Sequence, residues 1–160
     1  MIELSDPIQA LSKKVGGYLR THQLKVMTVE SCTGGGLAFA ITSVPGSSEW
    51  FEQGLVTYSN ASKTRLLHIP SALIEKEGAV SESVARLMAE NALDGHDKLI
   101  ALSVTGIAGP DGGTSEKPVG TVWIAHAGLG ETITQLHHFS GDRQSIREQA
   151  IIAALTLLLS

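Results

Sequence analysis

The sequence predicts a single layered α/β/α domain built on a mixed, partly parallel sheet, and three observations carry that expectation. Short apolar runs of strand character alternate with segments of helical period along the whole chain. Two of those runs, residues 24–29 and 98–104, lead straight into glycine-rich turns, as parallel strands do at the ligand-binding edge of open α/β sheets. A third pair, residues 121–126 and 131–139, is joined through Gly128-Leu129-Gly130 as a hairpin, which adds antiparallel strands.

Taken in order, the elements begin after Asp6-Pro7, a good helix start, with apolar residues at Ile8, Leu11, Val15 and Leu19 in helical spacing. Residues 24–29 read as a mostly buried strand running into Glu30-Ser31-Cys32-Thr33-Gly34-Gly35-Gly36. Leu37-Ala38-Phe39-Ala40-Ile41 continues as an apolar helix closed by Pro45-Gly46. Residues 54–58 form a second strand, residues 60–67 a short helix, and Pro70-Ser71-Ala72-Leu73-Ile74 a further helical turn. Ser81, followed by Val84, Leu87, Met88 and Leu93, predicts a capped amphipathic helix ending near Gly95. The strand at 98–104 opens a second glycine-rich loop, Thr105-Gly106-Ile107-Ala108-Gly109-Pro110-Asp111-Gly112-Gly113. Gly141-Asp142 precedes a final helix over 146–159 whose last turns are apolar almost all round, so that Leu155, Leu157, Leu158 and Leu159 cover either a partner or their own sheet. No repeat or linker divides residues 1–160, which read as one domain.

Composition narrows the function classes. With 42% hydrophobic and 18% charged residues in 160, the chain has material for one core and none of the bias of a disordered segment. A net charge of −4 lacks the basic footprint of a nucleic-acid binder, so no nucleic-acid partner is expected. Cys32 is the only cysteine, which excludes an intrachain disulfide and fits a reducing compartment. The first residues lack a secretory pattern, and no apolar run reaches the ~20 residues a membrane span needs. The expectation is a cytoplasmic protein without a membrane partner. No metal-ligand spacing occurs, so neither a metal nor another cofactor is expected.

Three segments carry chemistry. In Glu30-Ser31-Cys32-Thr33-Gly34-Gly35 a hydroxyl stands at a strand end just ahead of a helix, where amides of residues such as Thr33 and Gly34 can meet a phosphate or an oxyanion. Ser31 is open to two roles there, nucleophile or helix cap. The segment is not a G-x-S-x-G elbow. None of the six histidines completes a Ser-His-Asp triad: only His96 has close carboxylates, Asp94 and Asp97, and its turn lies at the opposite end of a strand. The block Val56-Thr57-Tyr58-Ser59-Asn60-Ala61-Ser62-Lys63 instead places Tyr58, Asn60 and Lys63 near a neighbouring strand end. Lys63 there is either a solvated surface lysine or, if desolvated, a general base for Ser31, with Tyr58 hydrogen-bonding its amine or relaying its proton. The second glycine-rich loop, neither a P-loop nor a dinucleotide fingerprint, is a candidate ligand cradle. Lys117 and Arg143 are the nearby cations for a phosphate, and Cys32 is either a reactive thiol or a small buried residue.

Together these segments resemble the CinA C-terminal-domain family. The matching stretches are Glu30-Ser31-Cys32-Thr33-Gly34-Gly35, Pro45-Gly46-Ser47-Ser48 with Trp50-Phe51, Gly54 through Asn60, Gly78-Ala79-Val80-Ser81, the loop from Thr105 to Gly113, Lys117-Pro118-Val119-Gly120-Thr121-Val122 and Phe139-Ser140-Gly141-Asp142-Arg143. They follow the family order over nearly the whole chain. The resemblance implies a metal-independent, commonly oligomeric amidase (a homodimer or higher) that converts nicotinamide mononucleotide to nicotinic acid mononucleotide and ammonia in pyridine-nucleotide recycling. It implies Ser31 as nucleophile, Lys63 as base and Tyr58 as assistant. Thr33, Gly34, Gly35, Ser48, Asn60, Thr105, Gly106, Gly109 and Arg143 are the expected substrate-binding positions. The competing readings are a non-catalytic nucleotide- or phosphate-binding module and a competence- or DNA-damage-associated interaction protein.

Overall fold

The computed structural model describes residues 2–160 and arranges five strands in one sheet of order β2-β1-β3-β4-β5. Strands β1 (Lys25–Glu30), β2 (Phe51–Val56) and β3 (Leu99–Gly106) run parallel. The hairpin β4 (Thr121–Ala127) and β5 (Ile133–His138) continues the sheet antiparallel from β3. The sheet is therefore mixed and partly parallel, as its sequence pattern requires. Side chains alternate between its faces. Val26, Ile100, Leu102, Val104, Val122 and Ile124 pack under α1 (Asp6–His22), α2 (Gly36–Thr42) and α6 (Arg143–Leu159). Met27, Val29, Leu99, Ala101, Ala125 and Ala127 belong to the second core, with α3 (Asn60–Leu67), α4 (Ser71–Glu77) and α5 (Glu82–Leu93). Central β3, covered on both faces, is buried from Leu99 to Thr105 and is mostly apolar for that reason, Ser103 and Thr105 being its polar members.

Two boundaries differ from the sequence reading and bear on the site. Strand β2 runs over 51–56 rather than 54–58, because it is an edge strand with Glu52 and Gln53 exposed and its register on β1 starts at Phe51. Thr57 and Tyr58 are thereby released from the sheet just past its edge. Helix α6 starts at Arg143, three residues early, because the Asp142 side chain accepts from Ser145 N at 2.8 Å and caps it. At its far end Leu155, Leu157 and Leu158 are buried in the chain's own core and Leu159 packs against it, which settles what those leucines cover. No helix among the described residues is long and apolar enough to cross a membrane.

Candidate active site

The carboxyl ends of the three parallel strands converge on one cleft of about 290 Å³. Ser31 follows directly on β1, and its main chain is fixed on both sides: its N donates to Val104 O at 2.9 Å and its O accepts from Gly34 N at 3.0 Å. Beyond β2, Thr57 N donates to Glu30 O at 2.9 Å and Ser59 caps α3, its side chain accepting from Ser62 N at 3.0 Å. That cap sets the first turn of α3 and points Lys63 back beneath Ser31. Past β3, residues 105–112 wrap the far wall. Gly109 is required there: its φ is +80°, and a Cβ would come within 2.5 Å of Val119 Cγ1.

Lys63 is fully buried (0% exposed). Its Nζ lies 3.0 Å from Ser31 Oγ and donates to the carbonyls of Thr57 at 2.6 Å and Tyr58 at 3.2 Å. No carboxylate pairs with it among the described residues. Burial without a counter-ion lowers its pKa from 10.5 to about 8. A neutral amine has two N–H groups and one lone pair. Carbonyls can only accept, so both N–H groups are claimed by Thr57 and Tyr58, and the lone pair is left for the one neighbour that can donate, the Ser31 hydroxyl. Once protonated, the same nitrogen has three acceptors for its three protons. The site therefore accommodates both states of a proton carrier.

Cys32 also faces the cleft, but burial raises its pKa to about 11, so the thiol stays neutral near pH 7. Cys32→Ala is accordingly expected to keep activity within about threefold, and iodoacetamide to inactivate the native protein slowly or not at all. Rapid stoichiometric inactivation with modification at Cys32 would count against this assignment.

The structure sorts the remaining expected positions. Thr105, Gly106, Gly109 and Arg143 line the cleft with Ser31, Lys63 and Tyr58. Thr105 is buried and spends its hydroxyl proton on Ala79 O at 2.9 Å. The Tyr58 phenol does not reach Lys63, contrary to expectation. The residue is 57% exposed, and its Oη accepts from Arg143 Nη2 at 3.1 Å while Arg143 Nη1 donates to Gly109 O at 2.7 Å. Lysine contact comes from the Tyr58 carbonyl instead, because β2 ends one residue before Thr57. Among the described residues Arg143 is the only cation besides Lys63 on this cleft, for Lys117 Nζ is turned to Glu77 O.

Thr33, Gly34 and Gly35 lie on the other side of the turn, against a separate hollow beside α6 and residues 2–5. The amide of Gly34 is spent on Ser31 O, and those of Leu37 and Ala38 on the Glu30 carboxylate, so of the two amides the sequence suggested for an anion, Thr33 and Gly34, that of Gly34 is occupied. Among the described residues the Cys32 and Thr33 amides donate to no protein acceptor. Asn60 opens α3 facing yet another hollow, with Thr64, Ser71 and Glu75. Ser48 sits in the 3₁₀ turn Ser47–Glu49 that feeds the amino end of β2, at the opposite sheet edge from Ser31. A larger hollow of about 610 Å³ lies at that opposite edge with His96, Asp97 and Lys98, and it contains no nucleophile–base pair. Sequence reasoning missed Ala79 and Val80 as lining residues and Glu30 as the cap of α2. The signal for Glu30 was weak, since it precedes the helix by six residues and caps from inside the fold. No cluster of metal-ligating side chains occurs among the described residues.

Comparison with known proteins adds an independent line. The sequence model of the CinA C-terminal domain matches residues 8–160. Nicotinamide-nucleotide amidohydrolase PncC of Pseudomonas putida is 50% identical over 96% of this chain and 96% of its own length. The PncC of Escherichia coli K12 is 49% identical over 94% of this chain and 92% of its own. The crystal structure of the competence/damage inducible protein CihA from Agrobacterium tumefaciens superposes with a TM-score of 0.94 at 36% identity, covering 99% of this chain and 98% of that one.

Proposed function

The chain belongs to the CinA C-terminal domain family, and from that membership we propose that it hydrolyses the carboxamide of nicotinamide mononucleotide through an acyl-enzyme on Ser31. It is an amidohydrolase, in line with the names of its full-length relatives. The observation that carries the mechanism is the contact between buried Lys63 Nζ and Ser31 Oγ at 3.0 Å, with both amine N–H groups held by carbonyls.

Ser31 Oγ adds to the carboxamide carbon while its proton passes to Lys63 Nζ, and the carbonyl oxygen takes the negative charge. The Cys32 amide, which donates to no protein acceptor among the described residues and lies on the cleft, is the donor available to that oxyanion. The Lys63 ammonium returns the proton to the amide nitrogen, the C–N bond breaks, and ammonia leaves with Ser31 esterified. Water then adds to the ester, Lys63 accepts its proton and passes it to Ser31 Oγ, and nicotinic acid mononucleotide departs. Arg143 at the rim takes the phosphate, since the α2 start amides are already occupied.

A lysine at its ordinary pKa is neutral to about one part in a thousand near pH 7.5, whereas one near 8 is neutral to roughly a quarter. Because the neutral amine is the active form, kcat/KM is expected to climb about tenfold per pH unit up to an apparent pKa near 8, then level off. A flat profile between pH 6 and 9 would count against Lys63 as base. The activity itself is tested by ammonia release from nicotinamide mononucleotide with and without chelator. Turnover is expected to survive chelation, because nucleophile and proton acceptor are both side chains. Binding of the nucleotide without ammonia release would favour a non-catalytic binding module.

A further inference from the structure

Glu30, the last residue of β1, is fully buried and forms no ion pair among the described residues. Both carboxylate oxygens are taken. Oε1 accepts from Thr33 Oγ1 at 2.6 Å and Leu37 N at 2.8 Å, and Oε2 accepts from Ala38 N at 3.0 Å. Burying a carboxylate is costly, and a seven-residue helix such as α2 needs no more than a neutral cap on its surface. The placement suits a different task. Three donors from residues 33–38 clamp the turn that carries Ser31. The Glu30 main-chain oxygen meanwhile accepts from Thr57 N at 2.9 Å, and Thr57 O is the shortest acceptor of Lys63 Nζ. One residue thus ties the nucleophile's turn to the strand end that orients its base.

We propose that Glu30 is a positioning residue for the hydrolysis: its buried carboxylate fixes the 31–33 turn so that Ser31 Oγ stays within reach of Lys63 Nζ. The proposal rests on the Ser31–Lys63 reading. Glu30→Gln keeps the shape but sets an NH₂ group against one of the donors. Thr33→Val removes a single clamp and spares the helix amides.

The test measures kcat and KM for nicotinamide mononucleotide, the folded fraction by circular dichroism, and the rate at which a fluorophosphonate labels Ser31. In that labelling the Oγ–P bond forms, fluoride leaves and Lys63 takes the proton. Per folded molecule, Glu30→Gln is expected to lose about 10–100-fold in kcat and in labelling rate, and Thr33→Val a few-fold, with KM within about twofold. The apparent pKa near 8 is expected to stay in place. Wild-type kcat and labelling rate in folded Glu30→Gln would overturn the proposal, as would a rise in KM alone. Should Glu30→Gln fail to fold, Thr33→Val decides by the same readings. If wild type releases no ammonia, the proposed substrate fails, while the labelling rates still decide the role of Glu30.

Discussion

Ser31→Ala is expected to cut ammonia release from nicotinamide mononucleotide by at least about 10⁴-fold while leaving the fold and nucleotide binding intact. The substitution removes one oxygen whose partner is Lys63 Nζ, and that nitrogen keeps its bonds to Thr57 O and Tyr58 O. The main-chain bonds of residue 31 to Val104 O and from Gly34 N do not involve the side chain, so the turn persists. Calorimetric titration with the product nucleotide separates a nucleophilic serine from one that holds the phosphate. Binding within a few-fold of wild type with turnover lost identifies a nucleophile. Loss of both would instead make Ser31 a ligand for the phosphate.

Lys63→Met is expected to be as inactive, by about 10³-fold or more, and still to fold. Methionine fills nearly the same buried volume without a charge. The pKa displacement from 10.5 to about 8 means that the folded protein bears a penalty of about 3 kcal/mol for a protonated Lys63 at neutral pH. Removing the amine relieves that penalty but strips a donor from two carbonyls and Ser31 Oγ, at about 1–3 kcal/mol for each group left unpaired. The two effects oppose each other, so the relief offsets part of the loss.

The pH dependence of the difference gives the sign. Below pH 8 both folded and unfolded chains carry the proton, and the penalty is full. Between about 8 and 10.5 the unfolded chain binds more protons, so wild type gains stability relative to Lys63→Met as pH rises. Cys32, raised to about 11, acts the opposite way at the upper end, but it is present in both proteins, and because the Lys63 charge is the weakest influence on it, its contribution largely cancels. Urea unfolding of the pair at pH 7.5 and pH 10 measures the gain. An unchanged difference would mean that Lys63 is not desolvated.

Much of this arrangement is legible in the chain because it is local. The strand-to-glycine junctions at Glu30-Ser31 and Thr105-Gly106, the cap Ser81, and the hairpin at Gly128-Leu129-Gly130 each rest on a few neighbouring residues. The parallel order of β2, β1 and β3 then brings Ser31, Lys63 and the 105–109 loop to one edge, as ends of parallel strands must be. What stayed hidden depends on long-range geometry. Only the exact end of β2 decides that the Tyr58 carbonyl, not its phenol, meets Lys63. The Glu30 carboxylate looks like an exposed strand-end charge until the fold turns it inward to the amides of Leu37 and Ala38, which occupies the first amides of α2. Ser48 and Asn60 belong to matching stretches, yet they face away from the cleft in the single chain. Lys63 itself carried no mark of burial, for its neighbours in 59–64 are mostly polar.

The central claim is that a single Ser31 ester stands between amide and acid, and a partitioning measurement with hydroxylamine tests it most directly. The enzyme is given nicotinamide mononucleotide, which releases ammonia, and separately the methyl ester of nicotinic acid mononucleotide, which releases methanol. A common acyl-enzyme has forgotten its leaving group, so both substrates must give the same ratio of hydroxamate to acid at each hydroxylamine concentration, and Ser31→Ala must give neither product. Ratios that differ between the two substrates, or acid formation that persists in Ser31→Ala, would contradict the account.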